Sequence, residues 1–124
     1  MSTAFREALG RHLLAIEERD LEALAATVAP DGLLLIMSDG RLVRSTEEFL
    51  AAHRGWFAMK HWRLEVKPVH IYETAQLGVA LLHLEYRDTP PGQPPTRQES
   101  LLTLIFENRN GRWLMVQDQN TPVK

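Results

Sequence analysis

Apolar positions over residues 4 to 18 fall at near-helical spacing. Phe5, Leu9, Leu13 and Ile16 form one stripe, and Arg6, Glu7, Arg11, Glu17 and Glu18 lie outside it. This pattern predicts an amphipathic helix, with Gly10 at its middle as a point of close packing. Asp20 is placed to cap a second short helix carrying Leu21, Leu24, Ala25 and Val28, which Pro30 closes. After Pro30-Asp31-Gly32, the run Leu33-Leu34-Leu35-Ile36-Met37 is continuously apolar and reads as a buried strand. Ser38-Asp39-Gly40 is a turn, and Arg41 to Arg44 is a short partner strand. Ser45 and Glu48 have capping-box spacing ahead of Phe49, Ala52, Trp56 and Met59, so a third helix is expected to run to about Lys60.

The period then changes from helical to alternating. His61 to Glu73 alternates Trp62, Leu64 and Val66 with Arg63, Glu65 and Lys67, and Pro68 marks an edge or a bulge. Gln76 to Arg87 carries Val79, Ala80, Leu81, Leu82, Leu84 and Tyr86. The loop Asp88 to Thr96 holds four of the seven prolines and is expected to be exposed. Arg97 to Pro122 contains two apolar runs joined by Asn110-Gly111, the strongest short-range hairpin signal, because both residues tolerate the positive φ of a type I′ turn. Helices followed by long antiparallel strands predict an α+β domain, its bent sheet curled as a cone around three helices in the N-terminal half.

Composition narrows the function more than the fold. A chain of 124 residues with 44% hydrophobic content makes one domain with a real core. Net charge −2 and a pI near 6.2 argue against nucleic acid as a partner. The absence of cysteine removes thiolate nucleophiles and thiolate metal sites, and it suits a reducing cytoplasm, where the protein is expected to reside. Residues 1 to 12 lack a signal-peptide pattern, and no apolar run approaches the roughly 20 residues of a membrane span. His12, His53, His61, His70 and His83 form no metal-ligand spacing, so no metal is expected.

Four segments in this order resemble the NTF2-like (cystatin-like) superfamily, in particular its SnoaL-like and ketosteroid-isomerase-like small proteins. They are the opening pair of helices taken together, then APDGLLLIMSDG, then the capped helix RSTEEFLAAHRGWF, and last the terminal ENRNGRWLMVQDQNTPV. The resemblance covers nearly the whole chain. It implies a homodimer through the outer sheet face and a pocket between the inner face and the helices. It also implies a small apolar-to-amphipathic ligand and no cofactor. The superfamily spans isomerases, cyclases, dehydratases, hydrolases and non-catalytic oligomerisation or ligand-binding modules, and fold alone does not choose among them.

Candidate chemistry lies in the hairpin. Without a bulge, a two-residue turn puts Arg97, Glu99, Leu101, Thr103 and Ile105 on one face with Leu114, Val116, Asp118 and Asn120. Gln98, Ser100, Leu102, Leu104 and Phe106 then share the other face with Trp113, Met115, Gln117 and Gln119. Similarity to ketosteroid isomerases implies that the first set lines the pocket and the second faces the partner; a bulge inverts part of this.

Asp118 and Glu99 are the candidate general bases, since a carboxylate in an apolar cavity has its pKa raised toward neutrality. Arg97 is placed either to pair with Glu99 or to meet a ligand. Asn120, Thr103 and Tyr86 are candidate hydrogen-bond donors to a developing oxyanion, and Trp56 and Trp62 either clamp a flat ligand or belong to the core. Asp118 has a structural alternative too, as a partner for backbone donors. His83 and Glu85 are expected as an outward pair, and His53 as a packing residue. Set beside ketosteroid isomerases, the first strand has Met37 or Ser38 where those enzymes place their aspartate, and Thr103 stands where they can carry a second acid. Steroid isomerisation is therefore not expected.

Overall fold

A computed structural model describes residues 4–124. Three helices precede the long strands: α1 (Ala4–Glu17), α2 (Leu21–Ala25) and α3 (Thr46–Phe57). The strands are β1 (Leu34–Ile36), β2 (Leu42–Val43), β3 (Trp62–Glu73), β4 (Leu77–Asp88), β5 (Thr96–Arg109) and β6 (Arg112–Pro122). They form one curved, unclosed sheet in the order β2-β1-β6-β5-β4-β3, so the architecture is the expected α+β one. Every pairing between these strands is antiparallel except β1 with β6. No helix among the described residues is long and apolar enough to cross a membrane.

The helix ends follow their caps. The Asp20 side chain accepts the amide of Ala23 at 3.0 Å, and Ser45 accepts that of Glu48 at 3.1 Å, each satisfying a donor that the first turn leaves open. Asn110 and Gly111 have φ of 55° and 89°, as a type I′ turn requires. Pro68 lies on the edge strand β3, and the register with β4 shifts between Pro68 and His70.

The inner sheet face and the helices share one core. Phe5 and Leu24 from the first two helices and Phe49 from α3 are fully buried with Leu104, Phe106 and Met115. Each such side chain contributes about 1.5–3 kcal/mol through removal from water. Gly78 on β4 lets α1 dock: a Cβ there would stand 2.4 Å from the Phe5 ring. At Gly10, by contrast, an added Cβ would meet nothing within 4 Å, so the expected close packing is corrected.

The hairpin register carries the main departure from the alternating pattern. Phe106 pairs with Met115, but Ile105 pairs with Gln117, leaving Val116 as an extra residue. From that bulge onward β6 is shifted by one position against β5. Asp118 therefore stands opposite Leu104, and Asn120 opposite Leu102, on the inner face. Arg97, Glu99, Thr103 and Ile105 go to the outer face with Gln117 and Gln119. Trp113, on the turn side of the bulge, is buried with its ring 5.4 Å from that of Phe5. The assignment of Trp113 to the outer interface is thereby corrected, because its face holds the core.

Candidate functional site

A cavity of about 620 Å³ opens between α1, α3 and the inner sheet face. Leu13, Ile16, Leu35, Leu64, Val66, Leu84 and Leu102 are among its apolar walls. Leu14, Glu17, Ser38 and Ala52 line it and are exposed, so they form its rim. Its inner polar groups are Asp118, Asn120 and His53. Among the described residues, no lysine or arginine borders it.

Asp118 is held by β6 between two leucines, Leu35 on β1 and Leu104 on β5. These neighbours give it no polar partner: its Oδ1 is buried and makes no hydrogen bond among the described residues. Burial raises its carboxyl pKa to about 7, with desolvation as the cause. Asn120 sits two residues on along the same face, and its buried Oδ1 is likewise without a partner among them. A native fold seldom leaves buried polar atoms unpaired, and where it does a ligand or a proton-transfer role is a recurrent reason.

His53 reaches the cavity from α3. Its Nδ1 lies 2.8 Å from the Phe49 carbonyl oxygen. Since a carbonyl only accepts, Nδ1 carries the proton and Nε2 keeps the lone pair in the neutral ring. Phe49, Trp56 and Phe57 surround the imidazole, at centroid distances of 4.1, 5.8 and 5.8 Å. Burial lowers the His53 pKa below its ordinary value. His12, fully buried on α1, donates from Nδ1 to the Thr27 hydroxyl at 2.8 Å, while that hydroxyl donates to the Leu24 carbonyl at 2.7 Å. Burial, and then the nearby His53, push its pKa down to about 3.

Of the aromatic candidates, only Trp56 borders the cavity. Trp62 is 1% exposed and stacks behind Trp56, with ring centroids 4.1 Å apart. Its Nε1 donates to the Trp56 carbonyl at 3.0 Å, while Arg19 lies over its ring and donates to the Trp62 carbonyl oxygen. Tyr86 accepts from Trp56 Nε1 at 3.4 Å. Trp62 and Tyr86 thus support the Trp56 wall from behind, and their expected placement on the cavity is corrected.

Glu99, Arg97 and Thr103 do not border the cavity either, because the Val116 bulge leaves them on the outer face. There Glu99 meets His83 at 3.0 Å and Arg97 at 2.7 Å, and both contacts hold its carboxyl below the usual carboxylate range. Glu85 pairs with Arg97 and Arg87 rather than with His83. The expected His83–Glu85 pair is replaced by this wider network. No cluster of metal-ligating residues occurs among the described residues.

An α+β cone with a buried carboxyl in a mainly apolar cavity defines a small NTF2-like pocket domain. A family model described as the SnoaL-like domain matches residues 6–122, and the chain belongs to that family. No curated protein matches it. Solved structures share the fold at low identity. A protein with a cystatin-like fold from Caulobacter vibrioides is 21% identical, with 98% of this chain and 88% of that one covered and a TM-score of 0.75. A ketosteroid isomerase-like protein from Erwinia carotovora atroseptica is 13% identical, with 98% and 95% covered and a TM-score of 0.81. The S. rosetta CaMKII hub is 14% identical, with 98% and 96% covered and a TM-score of 0.77. At these identities the likeness is one of fold.

Proposed function

We propose that the cavity binds a small, uncharged, apolar-to-amphipathic molecule and that Asp118 transfers a proton on it. The reaction would be a cofactor-independent isomerisation, cyclisation or hydrolysis. One observation carries this reading: a buried carboxyl with no hydrogen-bond partner among the described residues, held near pKa 7 inside a cavity. A group whose pKa lies near the working pH is best placed both to take and to give a proton. Asn120 stands beside it, where its amide can stabilise charge that develops on a carbonyl oxygen. A lining without lysine or arginine favours uncharged ligands over anions.

The experiment is turnover of a panel of alicyclic ketones, enones and epoxides, with binding followed by tryptophan fluorescence, which Trp56 on the cavity wall reports. Asp118→Asn is expected to abolish turnover while leaving binding in place. Turnover of a panel member that survives Asp118→Asn would falsify the reading. A second reading, a non-catalytic ligand-binding or oligomerisation module, is favoured by the fold shared with the CaMKII hub; it predicts binding without turnover by the wild type. In either reading the protein is a homodimer through its outer sheet face.

A further inference from the structure

His53 lines the same cavity as Asp118, yet the reaction just described leaves it without a task. Its hydrogen bond to the Phe49 carbonyl fixes the tautomer, so its one open nitrogen is Nε2, with a lone pair. The ring is clamped by Phe49, Trp56 and Phe57, and the Nδ1–H bond stays satisfied whether or not Nε2 is protonated. The imidazole can therefore gain a proton without turning. The rest of the lining offers the inner carboxyl of Asp118, the rim carboxyl of Glu17 and no lysine or arginine.

We propose that His53 is the second catalytic residue of this cavity, acting as base through Nε2 while Asp118 acts as acid, on neutral carbonyl compounds with an alicyclic or aromatic body. Nε2 takes a proton from the carbon beside the carbonyl, and the C–H electron pair becomes the C=C bond of an enol. The carboxylic acid of Asp118 delivers its proton to the carbonyl oxygen, which receives the C=O π pair. The substrate stays neutral throughout, while His53 becomes imidazolium and Asp118 carboxylate. Reversal at the same or a conjugated carbon restores both groups, so no co-reactant is needed. The route suits this site, because the substrate stays uncharged and the imidazolium and carboxylate that form are of opposite sign, whereas an unpaired charge in such a cavity is costly. The inference rests on the reading of Asp118 as a proton-transfer group and adds its direction and its partner.

Hydrogen–deuterium exchange of the α-protons of 2-tetralone in D₂O, followed by proton NMR, is the test. The other titratable groups around the site are Glu17 and His12 on α1 and Tyr86 on β4, and Arg54 neighbours His53 on α3. The wild type is expected to speed exchange over buffer and to lose that acceleration above pH about 7, where Asp118 gives up its proton. A second loss is expected at acid pH, where His53 gains one. His53→Gln and Asp118→Asn should each remove on the order of 10²-fold. Exchange that instead rises through pH 7 and survives His53→Gln overturns the role of His53 and leaves Asp118 standing as a carboxylate base. Wild-type exchange no faster than buffer, or exchange unaffected by either variant, overturns both readings. Nitrogen-15 NMR of the wild-type imidazole is independent of any probe and of variant folding: a proton found on Nε2 of the neutral ring, rather than Nδ1, also overturns the proposal.

Discussion

Asp118 and His12 are both buried ionisable groups, and their effects on stability run in opposite directions with pH. The Asp118 carboxyl rises from 3.8 unfolded to about 7 folded. Below pH 3.8 both states are protonated and nothing is lost. Between 3.8 and 7 the unfolded chain ionises first, so folding weakens, and above 7 the full cost of roughly 4 kcal/mol persists. His12 falls from 6.5 to about 3, so its cost appears as pH drops through 6.5 and is complete near 3. Between pH 4 and 6.5 the two slopes oppose, and their contributions to wild-type stability nearly cancel. Asp118→Asn removes one of them. Urea unfolding of this variant is expected to show stability rising steeply from pH 4 to 6.5, and at pH 8 exceeding the wild type by up to about 4 kcal/mol. A variant more stable yet inactive is the pattern of a residue kept for chemistry at the expense of folding. An unchanged profile would mean that Asp118 is not desolvated.

At the scale of the element, one inserted residue decides which side chains reach the cavity. The apolar periods of α1, α3, β4 and β5 are legible because each element keeps one face on the core, as β3 does up to the register shift after Pro68. The same holds for the Asn110-Gly111 turn, whose two positive φ values few other residues accept. The bulge is not legible in this way. Val116 sits in the run Trp113-Leu114-Met115-Val116, where both parities are apolar and alternation gives no register. Alternation thus places Asp118 and Asn120 on the cavity, but through a pairing that would also carry Glu99 and Thr103 there. His53 is legible in principle, since Phe49, His53, Trp56 and Phe57 follow helical spacing, but only the tautomer set by the Phe49 carbonyl distinguishes it from a packing residue. Deleting Val116 is expected to leave Gln117 opposite Ile105 and Asp118 opposite Leu104, now in a regular ladder, so that Asp118 stays on the inner face. Carbon-13 NMR should then find its carboxyl still raised well above the ordinary range, and a return to that range would show that the inner placement needs the bulge itself. Gly78→Ala tests a second element-level contact: with Phe5 wholly buried against it, the added methyl should cost about 1–3 kcal/mol in thermal unfolding.

For the whole molecule, the sheet separates two tasks. Its inner face is committed to the core and the cavity; its outer face is left uncovered by any described element of the chain. Val79 pairs with Ile105, Leu81 with Thr103 and His83 with Leu101, and these side chains lie on that outer face. The His83–Glu99–Arg97–Glu85 network borders the apolar strip. A two-fold axis through such a strip would set it against its own copy, with the charged groups at the margin fixing orientation. Exposed ion pairs of this kind contribute only about 0–1 kcal/mol each, so the apolar strip must supply the affinity. Leu101→Glu would place a charge in the middle of that strip. Sedimentation velocity at micromolar concentration is expected to show a dimer for the wild type and a monomer for Leu101→Glu. Because Leu101 and Asp118 lie on opposite faces of the sheet, the monomeric variant should still bind ligand in the cavity. A wild type that sediments as a monomer would remove the outer face from the account and leave the cavity chemistry to stand alone.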